Sequence, residues 1–507
     1  MKKTFISFML LTGSLFLQAQ SGDLDATFNG NGVAIGNYTE DNNSADAMVV
    51  QADGKIVVAG GTGYASNIEI GVSRLNTDGT VDTTFGTDGV TLINSGWIKS
   101  FVYDMDVQPD GKIVLAGYRW NNETGDFLMV RLNEDGSLDD SFGTNGIAII
   151  DNGETEVAES FTILPDGKFI ISGYVFDNFS MVRINHDGTV DTTFGNNGWV
   201  ITEFGDSSSY SFVTTVNADG RIVLGGMLLG FDNKYKYAAA AYNSDGSLDT
   251  SFGTDGKVIL NVGNDNDFGI RLIQLEDGKI LFGGHSYYGT NPLRYELAVA
   301  RLNSDGSMDT SYGNNGVFKS RFVTNGESYL ADMVLQADGK LVLTGPANES
   351  GTYTFGITRA TADGQLDTTF GDAGKVITYI DLNNSESFNI SLQTDGKILV
   401  SGDTYPAGNT AQFFIARYLN DVQMAVQDLN NSTFSLYPNP ATSQINLAWT
   451  NSNKEYQVEI FNLLGQKVMT SKALNNASID VSSLAVGTYF VRLSNEGKAT
   501  TLRFIKK

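Results

Sequence analysis

Cysteine is absent from all 507 residues, so neither a disulfide framework nor a thiolate metal site can exist. Proline is scarce, with 7 residues against 57 glycines, which suits many tight turns and argues against a proline-rich disordered chain. Histidine occurs twice, at His186 and His285. A histidine triad or zinc centre needs more convergence than that, so both are expected in surface or packing roles. Basic residues are outnumbered, 33 Lys and Arg against 58 Asp and Glu, for a net charge of −25. So acidic a chain repels nucleic acid and anionic lipid, and no nucleic-acid partner is expected. Beyond the N-terminus no stretch approaches about 18 continuous apolar residues, so no membrane span is expected either.

What the chain has in abundance is repetition. The stretch Gln108-Pro-Asp-Gly-Lys-Ile-Val-Leu-Ala-Gly117 has counterparts beginning at Gln51, Leu164, Asn217, Leu275, Gln336 and Gln393. Asp-Gly between strand-forming apolar runs is a strong hairpin signal, because a type I′ turn needs positive φ at both central residues. A second motif, Leu-Asp-x-x-Phe-Gly-x-x-Gly, places its aromatic at Phe28, Phe85, Phe142, Phe194, Phe252, Tyr312 and Phe370. A third, Arg-Leu-Asn, ends an alternating run at Arg74, Arg131, Arg183, Arg301, Arg359 and Arg417, with Ala241 in the arginine position of the remaining copy. Three motifs recurring together about every 52–60 residues must be read before any local pattern.

Each period parses into four short strands, and no stretch holds a helical period. In one period these are Gly89–Ile93, a run with Phe101, Tyr103, Met105 and Val107 on its buried side, the apolar Ile113–Ala116, and the run ending at Arg131. Four antiparallel strands per period of this length predict an all-β fold, a seven-bladed β-propeller over residues 21–420. A β-solenoid is the alternative, and it would need end caps. The repeats begin on Leu-Asp-x-x-Phe and stop after Arg417-Tyr-Leu-Asn420, the element that elsewhere precedes it. The N-terminal segment, residues 24–35, is therefore expected beside the strand ending near Arg417, closing the ring without orphan edges.

These motifs resemble the delta-60 repeat of secreted bacterial proteins, a resemblance that implies a propeller and no particular activity. The flanks fit export. Residues 1–20 carry Lys2 and Lys3, an apolar run Phe5–Phe16 and a small residue near Ala19, the pattern of a cleaved signal peptide. Residues 421–433 read as a polar linker. Residues 434–507 hold eight Lys and Arg against four Asp and Glu, and alternate as a small Ig-like β-sandwich. With Tyr437-Pro-Asn-Pro440, Leu464-Gly-Gln-Lys-Val468, Gly487-Thr-Tyr-Phe-Val491 and a basic end, this segment resembles the type A C-terminal sorting domain of the type IX secretion system of Bacteroidetes. That resemblance implies type IX machinery as the partner of residues 434–507, and a secreted or outer cell-surface location.

No catalytic, cofactor-binding or metal residue stands out, and no cofactor is expected. The best chemical candidate is the turn Arg74-x-Asn76-x-Asp78-Gly79-x-x-Asp82 and its copies at Asn133/Asp135/Asp139, Asn185/Asp187/Asp191, Asn243/Asp245/Asp249 and Asn303/Asp305/Asp309. It resembles a calcium loop, but arginine occupies the first ligand position in all but one copy, so each arginine is expected to bridge the turn carboxylate instead. Ala241 would leave Asp245 and Asp249 without their arginine, making this fifth Leu-Asp-x-x-Phe turn the place to look for an ion. The arginines are read as following the repeat, which marks them as architectural. Recognition is expected in loops that vary between copies: 60–67, 118–125, 228–237 and 285–296, with Trp120, Tyr235, Tyr237, Tyr287 and Tyr288 as candidates for stacking on sugars. The leading expectation is a surface binding or scaffold protein without catalysis, with a glycan or protein ligand. The alternatives are a glycan hydrolase or lyase, which non-repeating carboxylates converging on the ring axis would favour, and a purely structural protein.

Overall fold

The computed structural model describes residues 20–420 and 434–507, apart from 65–66, 122, 206, 218, 264, 290–293, 350, 381–383 and 407–409 in the first part and 438–440, 450–455, 463–466, 475–476, 486 and 496–497 in the second. The expected signal peptide and linker lie almost wholly outside the described residues, as do Pro438-Asn-Pro440 and Leu464-Gly465. Two compact units are present, 1–421 and 422–507. Every regular element described is a strand, and no helix is long and apolar enough to cross a membrane.

The first unit is a ring of seven four-stranded antiparallel blades. In the second blade Lys99–Val107 is innermost, followed outward by Ile113–Trp120, Gly125–Leu132 and Ile147–Ile150. The strand after each Phe-Gly-x-x-Gly is thus the outer strand of the blade before it: Val90–Ile93 pairs with Asn67–Leu75. The middle strands are apolar on both faces because both meet neighbouring blades, and Ile113, Val114 and Leu115 have no exposed surface. The ring closes as expected. Val33–Gly36 is the outer strand of the last blade, pairing with Gln412–Tyr418 from Val33 opposite Ala416 to Gly36 opposite Phe413, while Leu24 bridges Tyr418.

The alternation read for Phe101–Val107 is corrected by a β-bulge. Val102 pairs with Gly117 and Asp104 with Ala116, so Tyr103 is skipped. Val102 and Met105 are buried, whereas Tyr103 is the exposed member of the run. One inserted residue switches the alternation phase, which a period-2 reading cannot foresee. The bulge recurs at Glu159, Phe212, Ile270 and Phe388. In the first and sixth blades the inner strand is interrupted there, at Asp46 and Ala331. The bulge also explains the glycine that ends the hairpin motif, since a Cβ on Gly117 would stand 2.0 Å from the Phe101 carbonyl oxygen.

The second unit is a sandwich of a three-stranded sheet (Phe434–Tyr437, Gln444–Trp449, Ala477–Asp480) and a four-stranded one (Lys467–Ala473, Tyr456–Asn462, Gly487–Asn495, Lys498–Lys506). Ile445, Leu447, Val458, Ile460, Val491 and Phe504 fill the space between them.

Candidate functional site

One face of the ring is built from the repeated turns. Arg74 Nε donates to Asp82 Oδ2 at 2.7 Å, and Lys55 Nζ from the Asp-Gly-Lys hairpin reaches the same oxygen at 3.0 Å. The guanidinium lies 4.7 Å from the centre of the Phe85 ring and donates to the Glu134 carbonyl in the next blade. Thr84 donates to Asp82 Oδ1 from its backbone N and its hydroxyl, at 3.1 and 2.6 Å. Gly136 of the next blade covers Phe85 so closely that a Cβ there would come within 2.8 Å of the ring, at φ +85. Each joint is therefore one buried aromatic, one arginine and one carboxylate crossing to the next blade. The same set closes the ring, with Arg417 Nε on Asp25 Oδ2 at 2.9 Å, Arg417 Nη1 on the Thr77 carbonyl, and Phe28 under the guanidinium. Burial alone would raise the Asp25 carboxyl, but bonds from Thr27 and Lys397 and the Arg417 charge hold it at about 2.

The expectation that Asp249 lacks its arginine is overturned. Where Ala241 replaces arginine, the hairpin carries Arg221 in place of lysine. Arg221 Nε lies 2.8 Å from Asp249 Oδ2, its Nη1 donates to the Ser304 carbonyl at 2.8 Å, and its Cζ sits 5.1 Å from the Phe252 ring centre. Two substitutions cancel, and a single cation enters the joint from the neighbouring strand. Asp245 Oδ1 is taken by the Ser247 amide and hydroxyl, as in the other turns.

The ring axis and the opposite face are built from residues that differ between copies. The bulged positions Asp46, Tyr103, Glu159, Phe212 and Phe388, with Arg271, line an axial cavity of about 300 Å³. Arg271 departs from the repeat, contrary to the expectation for arginines, and its Nε donates to Asp332 Oδ1 at 3.0 Å. Where the position after the bulge is polar it stitches blades together: Asp104 Oδ2 accepts from Ser160 Oγ and the Phe161 amide, Asp332 Oδ2 from the Ile390 amide, and Asn389 donates to the Ala45 carbonyl. Burial pushes Glu159 up to about 7 against the opposing pull of Arg271. Burial likewise lifts Asp46 to about 6, and burial with the Asp46 charge lifts Asp403 to about 8. Asp46 and Glu159 on the axis, and Asp403 beside Asp46, went unnoticed in the sequence, because the residues around them look regular.

In the fourth, fifth and sixth blades, half-buried aromatics meet edge to face and in stacks. Phe268 lies 5.1 Å from Tyr235, 5.1 Å from His285 and 5.8 Å from Tyr295. Tyr295 lies 4.4 Å from Tyr287 and 4.5 Å from Tyr329. The Tyr295 hydroxyl donates to that of Tyr287 at 2.7 Å, and the Tyr329 hydroxyl donates to Glu327 at 2.9 Å. His285 belongs to this panel, with burial pushing its imidazole down to about 4 and Nδ1 left without a partner. Of the sequence candidates, Tyr235 and Tyr287 belong to the panel, and Tyr288 carries Arg321 over its ring at 4.6 Å. Trp120 lies apart, in the second blade. Tyr237 is excluded: it is wholly buried, its hydroxyl donating to the Ala298 carbonyl. His186 is exposed in its turn, as expected.

A family model described as a domain of unknown function (DUF5122) beta-propeller matches residues 51–85, 108–142, 164–194, 218–252, 275–312, 336–370 and 393–421. A second, described as a secretion system C-terminal sorting domain, matches residues 435–507. Among solved structures the chain is similar to the polysaccharide lyase Uly1 (12% identity, 74% of this chain and 90% of that one, TM-score 0.44). It is also similar to Drosophila Semaphorin 2a (8%, 94% and 97%, 0.44) and to Chaetomium thermophilum Sqt1 (11%, 76% and 97%, 0.40). No curated protein matches.

Proposed function

We propose that this chain, which carries seven DUF5122 beta-propeller repeats and a secretion system C-terminal sorting domain, is a secreted or outer cell-surface protein that binds glycan on the face where its repeats disagree. The sorting tail directs it to the secretion machinery and so to the outside of the cell. The observation that carries the ligand class is the panel of Phe268, His285, Tyr287, Tyr295 and Tyr329. Its rings are half-buried, braced by one another, and bear hydroxyls at their edges. Aromatic faces held rigid in this way match the apolar faces of sugar rings, while the hydroxyls and nearby Glu327 match sugar hydroxyls. In this reading no residue is catalytic. The test is binding of the purified chain to a glycan array. A Tyr295→Ala variant should lose signal at least tenfold while its melting temperature moves little; equal signal from both proteins would reject the site.

A second reading, hydrolysis or cleavage of glycans, is favoured by the raised carboxylates Asp46 and Glu159 on the axis and Asp403 beside Asp46, since a carboxyl protonated near neutrality can act as a general acid. Incubating array-positive glycans with the protein and assaying for new reducing ends separates the readings. Products that disappear with Asp403→Asn would establish the enzyme reading; bound but intact glycans establish the binding one.

A further inference from the structure

At the seam between the second and third blades the outer strand ends opposite the start of its neighbour. Ile150 pairs with Phe127, bringing Asp151 beside Asp126, and the third blade's inner strand opens at Glu156. One carboxylate oxygen from each of Asp126, Asp151 and Glu156 lies within 4.8 Å of the others. Glu156 has no exposed surface. Its Oε1 accepts from the Asn152 amide at 3.1 Å, and its Oε2 has no partner. Leaving a buried carboxylate oxygen without a partner is costly, so the site as built asks for a cation. The protein supplies one: Arg119 Nε and Nη2 donate to Asp126 Oδ2 at 2.8 and 2.6 Å, with its guanidinium 3.9 Å from the Trp97 ring centre. Among the described residues no cationic side chain pairs with Asp151 or Glu156. Three carboxylates against one guanidinium leave two negative charges.

The other seams show that the fold does not require this. One blade earlier the same positions are Glu69, Asn94 and Ser100, and Asn94 Nδ2 donates to the lone carboxylate at Glu69 Oε1, at 2.7 Å. Between the fourth and fifth blades they are Lys236, Asn261 and Asp267, again with a single carboxylate. A polar group at the Glu156 position ordinarily caps the crossover loop, as Ser328 Oγ does by accepting from the Phe322 amide at 3.0 Å. A serine is enough for that. The excess of charge at one seam of seven is a local departure from the repeat.

We infer that Asp126, Asp151 and Glu156 bind one divalent metal ion of the hard, oxygen-preferring class, calcium foremost. All the donors are oxygens, which excludes selection of a thiolate- or imidazole-seeking metal, and a divalent charge balances the site. The ion ties loop 151–156 to the second blade on the variable face. This inference stands independently of what the aromatic panel binds.

The experiment is a terbium titration of the full chain, read by luminescence sensitised through Trp97 and Trp120, followed by displacement with calcium. One saturable site is expected. Its signal should be lost in Glu156→Gln, which keeps the Oε1 acceptor for Asn152, and in Asp151→Asn, at an exposed position where folding is not at stake. It should be kept in Asp78→Asn on a repeated turn. Millimolar calcium should raise the melting temperature of the wild type by about 2 °C over chelator, and leave both site variants unmoved. No saturable signal, or a signal that survives both Asp151→Asn and Glu156→Gln, overturns the assignment.

Discussion

The two ends of the blades obey opposite rules. On the turn face every joint repeats an arginine, a carboxylate and an aromatic, with a lysine added in all but the Asp249 joint, and these are used up in contacts to the next blade. On the axis and the loop face, equivalent positions carry Asp46, Tyr103, Glu159, Phe212 and Phe388, and burial raises Asp46 and Asp403. Identity in all copies marks a part the ring needs seven times. Difference between copies marks positions the ring leaves free, and that freedom is where a ligand can be specified.

The largest effect should come from breaking a joint. Arg359 has no exposed side-chain surface and is paired with Asp367 at 2.8 Å. Arg359→Ala removes a fully buried guanidinium and leaves that carboxylate to Lys340 alone, at 3.2 Å, and should cost about 3–5 kcal/mol in denaturant unfolding. Arg221→Ala should cost nearly as much, because no second arginine serves Asp249. The double change Arg221→Lys with Ala241→Arg restores the pattern of the other joints and should recover most of the loss. If Arg221→Ala is neutral, the compensation described here is wrong.

Next comes pH, where the two regions should pull in opposite directions. Asp25 and Asp367 are held at about 2 in the fold, below the unfolded value of about 3.9. Their contribution is complete above about pH 4 and is lost as pH falls toward 2. Asp46 and Asp403 are raised to about 6 and about 8, so the folded state holds their protons longer than the unfolded chain does. Stability from them is present below about pH 4 and declines as pH rises through 6 to 8. Melting temperature should therefore peak near about pH 4 and decline from there toward about pH 8, and Asp403→Asn should flatten the alkaline limb while leaving the acid limb. The smallest stability effect should come from Tyr295→Ala, with its consequence confined to binding.

Much of the turn face was legible in the sequence. The period, the blade count, ring closure at Arg417 and the arginine-for-calcium substitution all follow from motifs a few residues long. Three features were not. Arg221 stands 20 residues before the vacancy at Ala241 and looks like an ordinary lysine replacement until the two strands are paired. The bulge at Tyr103 and its counterparts inverts the alternation on which inward and outward assignments rest. The convergence of Arg271 with Asp332 or of Asp104 with Ser160 joins residues 61 and 56 apart, a separation at which only the ring geometry brings them together. Tyr237 was misplaced for a related reason: it lies just inside the strand that follows a variable loop, where the blade already buries its side chains.

The central claim is that the repeated face holds the ring while the divergent face recognises. It is tested most directly by comparing the glycan-array signals of Tyr295→Ala and Lys55→Ala with that of the native protein. The account predicts loss with the first and full retention with the second, since Asp82 keeps Arg74. Retained binding in Tyr295→Ala, or loss in a folded Lys55→Ala, would contradict it.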